Sequence, residues 1–213
     1  WHNATILQLF GRVTPPTRSV EVNTLRLLDL FVRHGVKATW FFLGEVADAF
    51  PGLVRKVVAA GHEAGVHGYH HHQVGALTPD AYRDSIGRAK VAVEQAGGAA
   101  VRGYRAVDFS INSRTWYALT TLRELGFEYD SSLFPFAGPR YGAGTTPLAP
   151  HWIALDGGKK IFEVPVSVAE VSGRRLPGAG GGYFRLFPLI YTKMLMRRVQ
   201  AEGRPVVFYM HPC

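Results

Sequence analysis

Cysteine is almost absent: Cys213, the last of the 213 residues, is the only one. One thiol forms no intrachain disulfide, so the fold has no covalent staples and cysteine usage gives no argument for secretion. Long apolar runs are also missing. No stretch approaches the ~18 residues of a membrane-spanning helix, so no transmembrane segment is expected. The longest apolar stretches, 38–43 and 205–210, have buried-strand length. Charge is sparse, and negative charge most of all. Charged residues make up 19%, with 16 acidic against 24 basic side chains and a net charge of +8. The cations are scattered singly or in pairs, and no finger, zipper or RNP signature occurs. Nucleic acid is therefore not an expected partner. A polybasic run for a membrane surface is lacking as well. The basic excess suits an acidic glycan or simple solubility. There is no Gly-x-Ser-x-Gly elbow, and Cys213 stands alone, so serine or cysteine nucleophilic catalysis has no support. Residues 1–4 carry neither an initiator methionine nor the basic and apolar regions of a signal peptide. These features lean towards a cytoplasmic location and a processed or truncated chain.

What is present is a globular composition with 47% apolar residues, enough for one large domain over 1–213. Helix-like and strand-like segments alternate. Apolar spacing predicts helices over 23–34, 46–60 (broken near Pro51), 79–97, 113–125 and 189–202. Thr78 and Pro79 suit the cap and first position of the third. Strands are expected over 38–43, 63–67, 101–107, 127–133, 161–168 and 205–210. Such alternation argues for an α/β fold on a parallel sheet, open or closed into a barrel. Chemistry in these folds gathers at the C-terminal ends of strands.

Unusual polar residues fall at those ends. The segment His67-Gly68-Tyr69-His70-His71-His72 holds four of the nine histidines. His67 and His71, four apart on a turn after a strand, are spaced to share a metal. A solvated histidine-rich loop is the alternative. His211 ends the last strand and suits proton donation to a leaving group, or a structural role. Asp130 reads either as an orienting carboxylate for His211 or as a turn cap with Ser131 and Ser132. Arg105, on an apolar strand, needs an acidic partner if buried and snorkels if not. In the glycine-rich segment 178–185, Tyr183 or Phe184 is placed to stack on a sugar ring; a packed aromatic on a flexible loop is the other reading. The glycines lack the Lys-Ser/Thr of a phosphate loop.

Taken in order, five segments resemble the polysaccharide deacetylases of the NodB-homology group, carbohydrate esterase family four, and in particular the subgroup of exopolysaccharide loci. They are Gly61-His62-Glu63 leading to His67-Gly68-Tyr69-His70-His71; Arg102-Gly103-Tyr104-Arg105-Ala106; Gly126-Phe127-Glu128-Tyr129-Asp130-Ser131-Ser132-Leu133-Phe134-Pro135; Gly180-Gly181-Gly182-Tyr183-Phe184-Arg185; and Phe208-Tyr209-Met210-His211-Pro212. The resemblance implies an irregular (β/α) barrel and metal-dependent N-deacetylation of N-acetylhexosamine residues in an acetylated polysaccharide or oligosaccharide. It implies His67 and His71 as ligands of a divalent metal, zinc. It makes His211 the general acid, Asp130 its tuner and Arg105 the holder of the catalytic base. It places a backbone oxyanion donor near Asp108 and substrate contacts at Tyr183, Phe184 and Tyr209. Three departures accompany it. The acidic pair of the family's first strand, base and third metal ligand, has no counterpart here, and its expected place precedes Trp1. Val107 stands where proline is usual, and Asp108 where a hydroxyl or aromatic residue is usual; Asp108 is also a conceivable substitute ligand. His70 is an additional imidazole. The expected fold is thus the barrel without its first strand. A carbohydrate-binding relic of the fold, or a hydrolase of small amides or cyclic imides, are the competing functions.

Overall fold

The computed structural model describes residues 16–136, 144 and 146–212. Cys213 and the opening residues read above lie outside that range. Helix α1 (Arg18–Arg33) leads into strand β1 (Thr39–Phe42), then α2 (Gly44–Ala49), α3 (Pro51–Ala59) and β2 (Glu63–Val66). Helix α4 (Pro79–Gly97) and β3 (Gly103–Tyr104) follow, then α5 (Tyr117–Glu124) and β4 (Tyr129–Asp130). The C-terminal part holds β5 (His151–Ala154), β6 (Lys160–Glu163), the hairpin β7 (Val168–Val171) and β8 (Arg174–Pro177), and helices α6 (Gly181–Leu186) and α7 (Leu189–Ala201).

Six strands form one sheet in the order β1-β2-β3-β4-β6-β5. The first five are parallel, and β5 closes the edge antiparallel to β6. Parallel strands need crossovers, and the helices between them supply these. Helix α4 begins where the sequence signals it: the Thr78 hydroxyl accepts from the Ala81 amide at 3.3 Å with Pro79 at the first position, and Gly98 (φ 67°) ends it. Its inner face buries Tyr82, Ile86, Ala89 and Val93. They join Leu53, Val54 and Val57 of α3 and Leu119 and Leu122 of α5 in the main core.

Three expectations are corrected. The strand expected over 161–168 is split at Pro165, which has no amide for a ladder, into β6 and β7. Residues 205–210 form no strand; they run extended, bridging the sheet-like neighbours only at Tyr209 with Gly180. The glycine-rich segment is not a loop throughout, since its second half is α6. Two strands were not foreseen. β5 lies on an exposed edge, and β7 and β8 turn at Ser172 (φ 50°) and Gly173 (φ 74°), a left-handed pair suited to a tight hairpin. No described helix is long and apolar enough to cross a membrane.

Among the described residues β1 pairs only with β2. Beyond its other edge lies a cavity of about 830 Å³, walled on the far side by Val206, Val207 and residues up to Pro212.

Candidate active site

Each strand end delivers one group to this cavity. β2 delivers His67, whose amide donates to the Phe42 carbonyl at 2.7 Å, extending the ladder by one residue. Gly68 (φ 109°) then turns the chain back. The amides of Gly44 and Glu45 donate to the carbonyls of Gly68 and Tyr69, so the start of α2 clamps the turn. Gly44 is required there, because a Cβ would stand 2.4 Å from the Tyr69 ring. This bent turn, rather than a helical one, brings His71 over His67 with ring centroids 5.6 Å apart. The Nδ1 of His67 lies 2.7 Å from the Arg105 carbonyl. A proton on Nδ1 leaves the Nε2 lone pair for a ligand, the orientation that metal-binding histidines use. Burial, reinforced by His71, holds His67 well below the ordinary histidine range, against the bond to Arg105. Burial also lowers His71, opposed by the Asp108 carboxylate. Both imidazoles are thus neutral at pH 7, as ligation needs. His70 turns away to Glu45, with Nδ1 and Oε2 2.7 Å apart, and is absent from the cavity wall.

Arg105 follows β3 and is half-buried, on the cavity wall. Its Nε donates to the Ser131 carbonyl at 2.9 Å and its Nη2 to the Ser131 hydroxyl at 2.5 Å. The guanidinium lies 4.7 Å above the centre of the Phe41 ring. Burial lowers its pKa, and the carboxylates of Asp130 and Glu163 oppose that shift. These two acids occupy paired positions on β4 and β6 and are both 0% exposed. Burial and the Asp130 carboxylate push Glu163 well above the ordinary range. The pair therefore keeps a proton, and Arg105 faces roughly one negative charge rather than two.

Asp130 ends β4 and makes the turn cap with Ser132 that the sequence offered as one of its two readings. Tyr129 and Ser131 line the cavity and Asp130, between them, does not. Neighbouring residues of a strand face opposite sides, so its carboxylate is directed away from the cavity. There it accepts from the Ser132 hydroxyl and, at 3.2 Å, the Ser132 amide. Its place is behind Arg105. Asp108 does reach the cavity, in the left-handed region (φ 52°, ψ 27°), and its Oδ2 accepts from Gln73 Nε2 at 2.9 Å.

The last segment brings His211 and Tyr209 to the cavity. His211 is close enough to His67 to contribute to its lowered pKa. Tyr209 packs edge-on to Phe109 at 5.0 Å and to His211 at 5.9 Å. Here the glycine-rich segment finds its reason. A Cβ on Gly180 would lie 1.8 Å from the Tyr209 carbonyl oxygen, and one on Gly181 2.2 Å from the Tyr209 hydroxyl. The close approach that these glycines permit is to the chain's own Tyr209. Tyr183 stacks on Phe134 at 6.2 Å and Phe184 meets Phe208 edge-on at 5.2 Å. Neither lines the cavity; Gly182 and Arg185 of the same helix do. Gln73, Arg185 and Glu163 were not foreseen, and no spacing in the sequence marks them.

Among the described residues no group of three or more His, Cys, Asp or Glu side chains is arranged to hold a metal ion. His67 and His71 fit two positions of a zinc donor set, which needs at least one ligand more.

The sequence model of the family described as polysaccharide deacetylase matches residues 14–129, just over half of the chain. Residues 131–213 match a second model, a domain of unknown function (DUF3473). The peptidoglycan deacetylase of Helicobacter pylori is 34% identical over 113 residues, 53% of this chain and 38% of that protein. The peptidoglycan-N-acetylglucosamine deacetylase of Bacillus cereus is 41% identical over 63 residues, 30% of this chain and 23% of that protein. The chain thus spans less than half the length of either curated relative. A solved structure described as a "putative polysaccharide deacetylase" from Mycobacterium smegmatis superposes with a TM-score of 0.67 at 27% identity, covering 91% of this chain and 65% of that one.

Proposed function

We propose, for a chain that belongs to the polysaccharide deacetylase family, that its cavity serves the hydrolytic N-deacetylation of N-acetylhexosamine residues in a bacterial polysaccharide. The observation that carries this reading is convergence: His67, His71, Arg105 and His211, from three separate segments, line one cavity.

His67 and His71 would hold a divalent metal, zinc by their chemistry. When bound, such an ion polarises an acetyl carbonyl and acidifies a water. The chain's own residues would do the rest. His211 would protonate the departing amine. The backbone at Asp108 would donate to the developing oxyanion. Arg105, fixed by Ser131 and balanced by the Asp130–Glu163 pair, would orient the carboxylate that serves as base. That carboxylate and the third ligand would come from a segment beside the edge of β1 that pairs with no strand among the described residues.

The reading is tested by acetate release from N-acetylglucosamine oligosaccharides, measured with the protein carrying its flanking segments. His67→Ala should lose both zinc and turnover. His211→Ala should keep zinc and lose turnover. A carbohydrate-binding relic of the same fold is favoured by the incomplete donor set of the described residues. It predicts oligosaccharide binding with no acetate release.

A further inference from the structure

Helices α6 and α7 carry an apolar surface that neither the core nor the cavity uses. Every residue over 184–190 is exposed. Leu186 and Ile190 are 79% and 77% exposed, and Phe184, Phe187, Leu189 and Met194 are 42–53% exposed. Single exposed apolar residues are ordinary; six within eleven positions form a patch that calls for a partner. The inner side of α7 is used, since Thr192, Leu195 and Val199 are buried where the helix packs on β7. Ile190, Met194 and Arg197, spaced by four and three, occupy the outer side.

Charge identifies the partner. From Val171 to Ala201 there is no acidic residue, against six cations: Arg174, Arg175, Arg185, Lys193, Arg197 and Arg198. Arg175 is engaged with the carbonyls of Pro135 and Thr146, and Arg198 pairs with Glu202 at 3.0 Å. Arg174, Lys193 and Arg197 are exposed. The sequence has no polybasic run, yet Lys193 and Arg197 fall one helical turn apart beside the apolar patch.

We propose that this face docks the protein onto a membrane surface carrying anionic lipid head groups, with α6 and the first turn of α7 lying in the interface. Leucine, isoleucine, phenylalanine and methionine side chains enter the boundary of the acyl chains, and the cations meet the head groups. A second copy of the chain is a poorer occupant. Two such faces would set cations against cations, with no acidic residue in the segment to pair them. Because Gly182 and Arg185 of α6 also line the cavity, docking sets one wall of the cavity against the lipid surface. The proposal holds whether or not the cavity is a deacetylase site.

The test is co-sedimentation of the full chain with vesicles of phosphatidylcholine alone and with added phosphatidylglycerol. Binding to the anionic vesicles, weakening as salt is raised, is expected. Leu186→Glu/Ile190→Glu should weaken it at least about tenfold, and Lys193→Glu/Arg197→Glu should remove the preference for anionic lipid. Leu186→Ser/Ile190→Ser, which adds no charge, guards against misfolding and should also weaken binding. Absence of vesicle binding overturns the proposal, as does equal binding by all variants. Self-association in sedimentation equilibrium that the same variants abolish, without vesicle binding, would assign the face to a second copy instead.

Discussion

The two halves of the chain solve the problem of burial differently. From β1 to β4, apolar residues recur at helix and strand periods and meet in one core, where Val54, Val57, Leu119, Leu122 and Phe127 are 0% exposed. Around the C-terminal part the buried clusters are smaller: Phe109, Phe134, Val166, Val168, Ala179 and Tyr209 form one, and Ala169, Leu195 and Val199 the other. The contacts of the segment ending in His211 include the Ser167 amide to the Val207 carbonyl at 3.1 Å, the Val207 amide to the Ser167 hydroxyl at 2.7 Å, and the Tyr209 amide to the Ala179 carbonyl and the Gly181 amide to the Tyr209 carbonyl, both at 3.1 Å. The two metal-ligand candidates thus stand by the larger core, and His211, the candidate proton donor, by the smaller clusters. The division falls where the two family models meet, at residue 130.

Substitutions can sharpen that contrast. The largest effect is expected in the first half: Leu122→Ala should lower unfolding free energy by about 3–5 kcal/mol, read by urea denaturation. Next comes Gly180→Ala, at about 3 kcal/mol, because its Cβ meets the Tyr209 carbonyl and its φ of 113° suits glycine alone. Its mark is regional. Amide exchange should speed up over 205–212 while the amides of α4 keep their protection; uniform loss would erase the contrast.

Glu163→Ala should cost about 2 kcal/mol, since it removes the acceptor of the buried Leu133 amide. Glu163→Gln keeps an acceptor and should stay within about 1 kcal/mol of the parent at neutral pH. The sign follows from the raised pKa. Glu163 favours the folded state below its unfolded pKa, near the ordinary glutamate value, and that contribution is lost as pH rises through the raised folded value. A strongly destabilised Glu163→Gln in chemical denaturation would mean that the acid is ionised in the fold.

The histidines give a smaller, pH-dependent effect. His67 is depressed, so its neutral form favours folding above the unfolded pKa near 6.5. That stability is lost as pH falls towards the depressed value, at up to about 1.4 kcal/mol per pH unit. His67→Gln should flatten that slope between pH 6.5 and 5 in thermal melts. The smallest effect belongs to the exposed face of α7, where Ile190→Ser should change stability by no more than about 0.5 kcal/mol.

Much of this was legible in the sequence, and the reason is periodicity. The caps of α4, the apolar run of β1 and the glycine stops of the helices are local signals, and they place His67, Arg105 and His211 at segment ends. What was not legible depended on distant partners. The glycines at 180–182 look like a loop for a ligand, but the atoms that Gly180 and Gly181 make room for are those of Tyr209, almost thirty residues on. The strand end that carries Asp130 is a local signal, but its pairing with Glu163, thirty-three residues on, is one that no local pattern reports. Ser131, its neighbour, is the residue that holds Arg105.

The most direct test of the deacetylase account is acetate release from N-acetylglucosamine oligosaccharides by the protein with its flanking segments, measured together with bound zinc. The account predicts turnover that follows zinc occupancy, vanishes with zinc in His67→Ala, and vanishes in His211→Ala while zinc stays bound. Full turnover in His211→Ala, or turnover unaffected by loss of both imidazoles in His67→Ala/His71→Ala, would contradict it.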